Sequence, residues 1–254
     1  MTPGAGRDAA KAAFYADVSE FVGWYLAQNP VAATDLGAHN WDDRLADLSA
    51  GGLRTLRTGL EVFRDRVARY TADGADPAGD DVDWAIDLRL MAAFARSGLR
   101  GLVDADLPHR SPDFYAAEAL FGPYSLLLKD FAPLDERMRH LAGRLADVPR
   151  VLADAEANLD VCPHLWVETA LETTGGGLSL FQQLVPALAA GVRDGDPLLA
   201  ARVEATNAKA IAAVERFRQF LAETLLPRVG GTFAVGETAW DGIVREEHML
   251  DLDA

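Results

Sequence analysis

The chain has 254 residues, half of them hydrophobic and a quarter charged, and 24 Lys and Arg against 39 Asp and Glu leave a net charge of −15. That length suits one large domain or two small ones with ample material for a core. The acidic balance argues against nucleic acid, whose phosphates need clustered Lys and Arg, and against anionic membrane surfaces. The single cysteine, Cys162, allows no internal disulfide and fits a cytoplasmic protein. No stretch has the apolar run of a signal peptide or the ~20 apolar residues of a membrane span.

Residues 1–7 read as a loose tail, with one helical domain expected over 8–254. The first helix is predicted over about Asp8–Gln28, because Phe14, Val18, Phe21, Val22 and Tyr25 lie along one face. Asn29-Pro30 ends it, since the residue before a proline avoids the α region. A corner follows: a short turn of helix, a glycine stop at Leu36-Gly37, and capping residues at Asp47–Ser49 for the next helix. Leu53, Leu56, Leu60, Phe63, Val67 and Tyr70 then form a heptad-like seam. The acidic stretch from Asp73 to Asp87 lacks the ligand spacing of a calcium loop and reads as a solvated linker. Its Asp80–Asp83 end favours the N-terminus of the helix that buries Trp84, Leu88, Met91, Ala95 and Leu102.

Leu107-Pro108 and Ser111-Pro112 are expected to bracket a loop. Gly122-Pro123 is expected to break the helix after it, and Ala132-Pro133 to start another. Leu134, Met138, Leu141, Leu145 and Val148 share one face of that helix. Pro149 is expected to restart the chain as a first helical residue, with Val151, Leu152, Ala155 and Leu159 continuing the face. Cys162-Pro163 opens a helix to about Thr174. The glycines Gly175–Gly177 lack the strand and Lys of a phosphate-cradling loop, so close packing or a kink is expected. Helix resumes over Leu178–Ala190. The longest helix runs from Pro197 to about Leu226, burying Leu199, Val203, Ala210, Val214, Phe217, Leu221 and Leu225. A short helix begins at Gly236-Glu237, and the only strand candidate, Val229–Val235, is short and glycine-rich. The fold class is therefore all-α: roughly eight to ten helices in antiparallel hairpins, with no significant sheet.

Five histidines are available, and none of them stands four residues from another with a Glu beside the first, as an HExxH zinc helix requires. His164 and Glu168 do have that spacing and are the weak metal candidates. Two ligands fall short of the three or four a zinc site needs, so a helix-surface hydrogen bond is the simpler reading. Glu246, Glu247 and His248 are adjacent and point in different directions. No GxSxG nucleophile elbow is present, and Cys162 is expected to be buried and inert. The aromatics, Trp240 and Phe121 among them, are expected in the core. No catalytic residue is assigned.

Three segments carry a family resemblance, in order along the chain. The first is the corner, where Pro30, Ala33-Thr34, Leu36-Gly37, His39, Asp42–Leu45 and Asp47–Ser49 match; its structural residues are Pro30, Gly37, His39, Asp42, Arg44 and Ser49. The second is RLADVPRVLADAEANL, Arg144–Leu159, and the third is FAVGETAWDGIVREEHMLDLDA at the C-terminal end. Together they resemble the N-terminal half of the bacterial domain-of-unknown-function family 885, whose members resemble gluzincin-type zinc metallopeptidases. The resemblance implies that Arg144–Leu159 turns between two antiparallel helices. It also implies that the chain is one half of a two-half protein, forming one wall of a substrate channel. An HExxPGHH-like zinc motif would belong to the other half, beyond LDLDA. The expectation is thus no cofactor and no catalysis in this chain alone, with a C-terminal catalytic half or a peptide substrate as partner. A free-standing helical binding or interaction protein is the alternative.

Overall fold

The computed structural model describes residues 3–74, 76–250 and 252. Among them the fold is all-α, 80% helical and without a strand, as the periodicities require. The chain sorts into two compact units, one comprising Met1–Tyr25, Arg54–Asp106 and Ala234–Ala254, the other Leu26–Leu53 and Leu107–Phe233.

The first unit contains most of α1 (Pro3–Gln28) and α3 (Ala50–Ala68), all of α4 (Val82–Leu99), and a short C-terminal helix. Residues 3–7, expected to be loose, are the first turn of α1, and Arg7 donates to the Ala78 carbonyl; residues 1–2 lie outside the described residues. The α1 and α3 stripes meet: Phe21, Leu60, Phe63, Val67 and Ala95 form one buried cluster, and Phe14, Ala78, Trp84 and Leu88 another, while Val22, expected on the same face, is 40% exposed. The Phe21 and Phe63 rings stack with centroids 3.7 Å apart. Asp81 caps α4, its carboxylate accepting the Trp84 N–H at 3.2 Å.

The second unit is built on α7 (Leu134–Asn158), which packs against α6 (Pro112–Leu128) and α10 (Pro197–Gln219). The other members are α2 (Pro30–Asp35), α5 (Leu107–Arg110), α8 (His164–Ser179) and α9 (Val185–Val192). Met138, Leu141, Leu145, Val148, Leu152 and Ala155 of α7 are at most 1% exposed and anchor the core. α8 packs on α6, and Gly177 permits the approach: a Cβ there would lie 2.6 Å from the Leu120 side chain.

Two expected helix breaks do not occur. Pro123 sits inside α6 and Pro149 inside α7, so Arg144–Leu159 is mostly continuous helix rather than a turn. A proline inside a helix costs about 3 kcal/mol, and the apolar stripes on both sides of each proline pack into the same core, which outweighs that cost. The segment 107–110, expected as loop, is the helical turn α5. Phe121 and Trp240, expected inside, are 42% and 51% exposed. π turns occur at Arg100–Asp104, Leu180–Leu184, Phe220–Leu225 and Ile243–Glu247; the last follows α11 (Glu237–Gly242).

Candidate functional site

The corner between α2 and α3 is seated on α6 and α7. Gly37, with φ +85°, ends α2 in the left-handed conformation that glycine adopts without strain. A single 3₁₀ turn, His39–Trp41, follows. The chain then runs without regular hydrogen bonding to Ser49, so its backbone groups need partners elsewhere. Side chains of α6 and α7 supply them. The Leu45 N–H donates to Asp147 at 3.0 Å and the Ala46 N–H to Glu118 at 2.7 Å. Arg150 donates to the carbonyls of Ala46 and Leu45, and Asn158 to that of Leu48 at 2.9 Å. Gly143 lets the segment lie directly on α7, since a Cβ there would fall 2.1 Å from the Asp43 carbonyl oxygen. Burial pushes the Glu118 carboxyl above the ordinary carboxylate range, opposed by the Ala46 N–H and by Arg144. A hydrogen bond with Ser49 holds the Asp47 carboxyl below it.

Arg144 stands at the centre of this seat and is fully buried. It donates to the Gly122 carbonyl at 2.6 Å, the Ser125 hydroxyl at 2.9 Å, the Pro30 carbonyl at 3.2 Å, and the Thr34 hydroxyl. Its Nε has no hydrogen-bond partner among the described residues. The Thr34 hydroxyl in turn donates to Oδ1 of Asp42. Asp42 is 1% exposed and lies 3.7 Å from Arg144, a buried ion pair bridged by one hydroxyl. Burial pushes the Arg144 guanidinium down, and Asp42 opposes this. The second Asp42 oxygen lies 2.8 Å from Nδ1 of His39, whose ring stacks on Phe131 with centroids 4.1 Å apart. Thr34, His39, Ser125, Lys129 and Phe131 line a cavity of about 200 Å³.

A histidine held through Nδ1 by a buried carboxylate offers Nε2 as an acid or base. A hydrolytic triad would also need a free hydroxyl, and neither candidate has one. The Thr34 proton is committed to Asp42 and the Ser125 proton to the Gly122 carbonyl at 3.0 Å, while both oxygens accept from Arg144. The geometry is that of a lock which orders the corner.

Of the corner residues singled out by sequence, Pro30, His39 and Asp42 converge and Gly37 makes the turn. Arg44 lies apart, exposed, donating to the Ala27 carbonyl at 3.3 Å. Ser49 caps α3, accepting the Gly52 N–H at 3.2 Å. His164 and Glu168 face each other at 3.2 Å on exposed α8 surface. Among the described residues no group of three or more His, Cys, Asp or Glu could hold a metal ion. The described side chains therefore do not bring together the three or four ligands of a zinc centre. Arg144, Ser125 and Glu118 escape sequence reading. One signal for Arg144 exists: it falls on the apolar stripe of α7, three residues from Leu141 and four from Val148, where a charge needs a buried partner. Cys162 is fully buried, and burial pushes its thiol up to about 11.

A family model described as "Bacterial protein of unknown function (DUF885)" matches residues 30–254. No curated protein matches the chain. A solved structure from Shewanella oneidensis, described as "a putative lipoprotein of unknown function", is similar with a TM-score of 0.78 at 18% identity. The match covers 93% of this chain and 42% of that one, so this chain spans less than half of its structural relative. A likeness at that identity establishes the fold alone. No helix among the described residues is long and apolar enough to cross a membrane.

Proposed function

The chain belongs to this bacterial DUF885 family, and from that premise we propose that it is the non-catalytic helical half of a larger, metallopeptidase-related protein. It forms one wall of a substrate channel, and the zinc motif resides in the other half. The observation that carries this reading is that a protein of the same fold is more than twice as long as the matched region. The α4 surface adds to it. Val82, Ile86, Leu90 and Phe94 recur at four-residue spacing and are 37% to 66% exposed, an apolar stripe suited to cover by further chain. The corner lock, with its committed hydroxyls, suits a structural half better than a catalytic centre.

The test supplies the second half in trans. The segment following the matched region in a longer family member is purified with its zinc, mixed with this chain, and followed by size-exclusion chromatography and peptide hydrolysis. Co-elution with hydrolysis only in the mixture is the expected result. Hydrolysis by this chain alone, with one-to-one zinc binding lost in His164→Ala, would overturn the half-enzyme reading. We propose a cytoplasmic location, which a cysteine-poor chain fits; cell fractionation checks this, and recovery with membranes would match the neighbour's description instead. A free-standing binding protein is the second reading, favoured by a cavity in the first unit.

A further inference from the structure

That cavity, of about 370 Å³, lies between α3, α4 and the 245–249 segment. Its floor is apolar: Val67 and Leu88 are buried and Ala92 beside them is partly buried. Its wall carries Arg64, Arg89, Arg96 and Arg245. Such a convergence runs against the composition of a chain with 24 basic and 39 acidic residues. The local acids, among them Glu246 of the cavity wall, neutralise only part of it. Glu246 lies 3.5 Å from Arg96 but is shared with Arg100 at 3.1 Å, and Arg64 pairs with exposed Asp65 at 2.8 Å. Among the described residues Arg89 and Arg245 have no hydrogen-bond or ion-pair partner.

Arg89 and Arg245, thus left without partners beside the Arg64–Asp65 and Arg96–Glu246 pairs, are free to take up an anion, and guanidinium matches carboxylate in a bidentate fork. The apolar floor rewards a ligand that also carries hydrocarbon. The volume falls in the range of small-molecule sites, about 300–1,000 Å³. We propose that this cavity binds an organic monocarboxylate with an apolar tail, its carboxylate held by Arg89 and Arg245 and its tail laid over Val67, Leu88 and Ala92. A free fatty acid and the C-terminal carboxylate of a peptide ending in an aliphatic residue share this chemistry. The site is independent of the channel-wall reading, because it needs no second half.

Calorimetric titration of the full chain tests it, with acetate, butyrate, octanoate, octylammonium and an N-acetylated peptide ending in Leu as probes. Affinity is expected to rise about fourfold for each methylene buried, the equivalent of ~0.8 kcal/mol, and octylammonium is expected not to compete. Arg89 and Arg245 are both exposed, so the R89Q/R245Q double variant should keep its helical spectrum and melting profile while binding octanoate at least tenfold more weakly. Tighter binding of the peptide than of octanoate assigns the site to peptide ends, and the reverse assigns it to fatty acids; either supports the proposal. Absence of octanoate and peptide binding, equal binding of octylammonium, or undiminished binding by the double variant would overturn it.

Discussion

Asp42→Asn and Arg144→Met separate charge from shape at the corner. Asp42 is 1% exposed and Arg144 0%, with 3.7 Å between them, so neither has water to turn to when the other is lost. Removing one member of a buried pair leaves an uncompensated charge, at a cost of roughly 3–5 kcal/mol. Asp42→Asn keeps an acceptor for the Thr34 hydroxyl and belongs near the lower figure. Arg144→Met also strips the donors from Gly122, Ser125 and Pro30, and belongs near the upper one. For a chain of this size each kcal/mol moves the melting temperature by about 2–4 °C, so falls of roughly 6–20 °C are expected. The double variant buries no charge, so its loss should undercut the sum of the single losses by more than about 1 kcal/mol. Urea and thermal unfolding followed by circular dichroism measure all three. Single variants within about 0.5 kcal/mol of the parent, or strictly additive losses, would refute the reasoning, because the two charges would then be hydrated or indifferent to each other.

Gly143→Ala should cost about 1–3 kcal/mol by lifting the corner off α7, whereas Gly23→Ala, with nothing within 4 Å of the new Cβ, should gain about 0.5–1 kcal/mol; equal melting temperatures would mean the corner is not seated where it lies. Glu118, whose pKa is raised by burial, contributes stability that is fully present below its unfolded value, ~4.3, and lost as pH rises through its folded value. Glu118→Gln should therefore gain on the parent as pH increases from acid to neutral, and a pH-independent difference would contradict the shift. Cys162, buried and raised to about 11, should react with an aromatic disulfide reagent at neutral pH only on unfolding, so prompt labelling of the native chain counts against its burial. Leu60→Ala and Leu141→Ala, both at most 1% exposed, should each cost roughly 2–5 kcal/mol by urea denaturation.

What is legible in the sequence is what is local. The stripes of α7 and α10, and the middle of the α3 stripe, bury most of the residues that their three-and-four spacing selects, because each helix must hide its own apolar face. Gly37, the Ser49 cap and the acidic start of α4 are legible for the same reason: a turn or a helix start restricts its own residues. The misread prolines depend on distant packing. Beside Pro123, the Gly122 carbonyl is taken by Arg144 and Ser125, and Arg144 belongs to another helix. The corner is half legible. Pro30, His39 and Asp42 stand in a recognisable pattern, but the cation that fixes them lies far along the chain and betrays itself only as a charge on an apolar stripe. The unit boundaries at Tyr25 and Leu53 fall inside α1 and α3, which run through them as continuous helix, so even the Gly51-Gly52 pair beside Leu53 does not read as a linker.

The π turns bear on how this chain tolerates insertion and deletion. Each holds one residue more than an α-helix needs to reach the same point. Val214 and Phe217 at the end of α10 and Leu221 and Leu225 of the π turn at Phe220–Leu225 are all buried, and the surplus residue of that turn keeps Leu225 aimed at the core. Deleting one residue within 220–225 converts that turn to ordinary α geometry and leaves the downstream chain in place. The same deletion between Leu145 and Val148 swings the remainder of the α7 stripe by about 100° towards water. Changes of helix length among relatives should therefore gather at the four π turns and avoid α7, where the chain has no residue to spare.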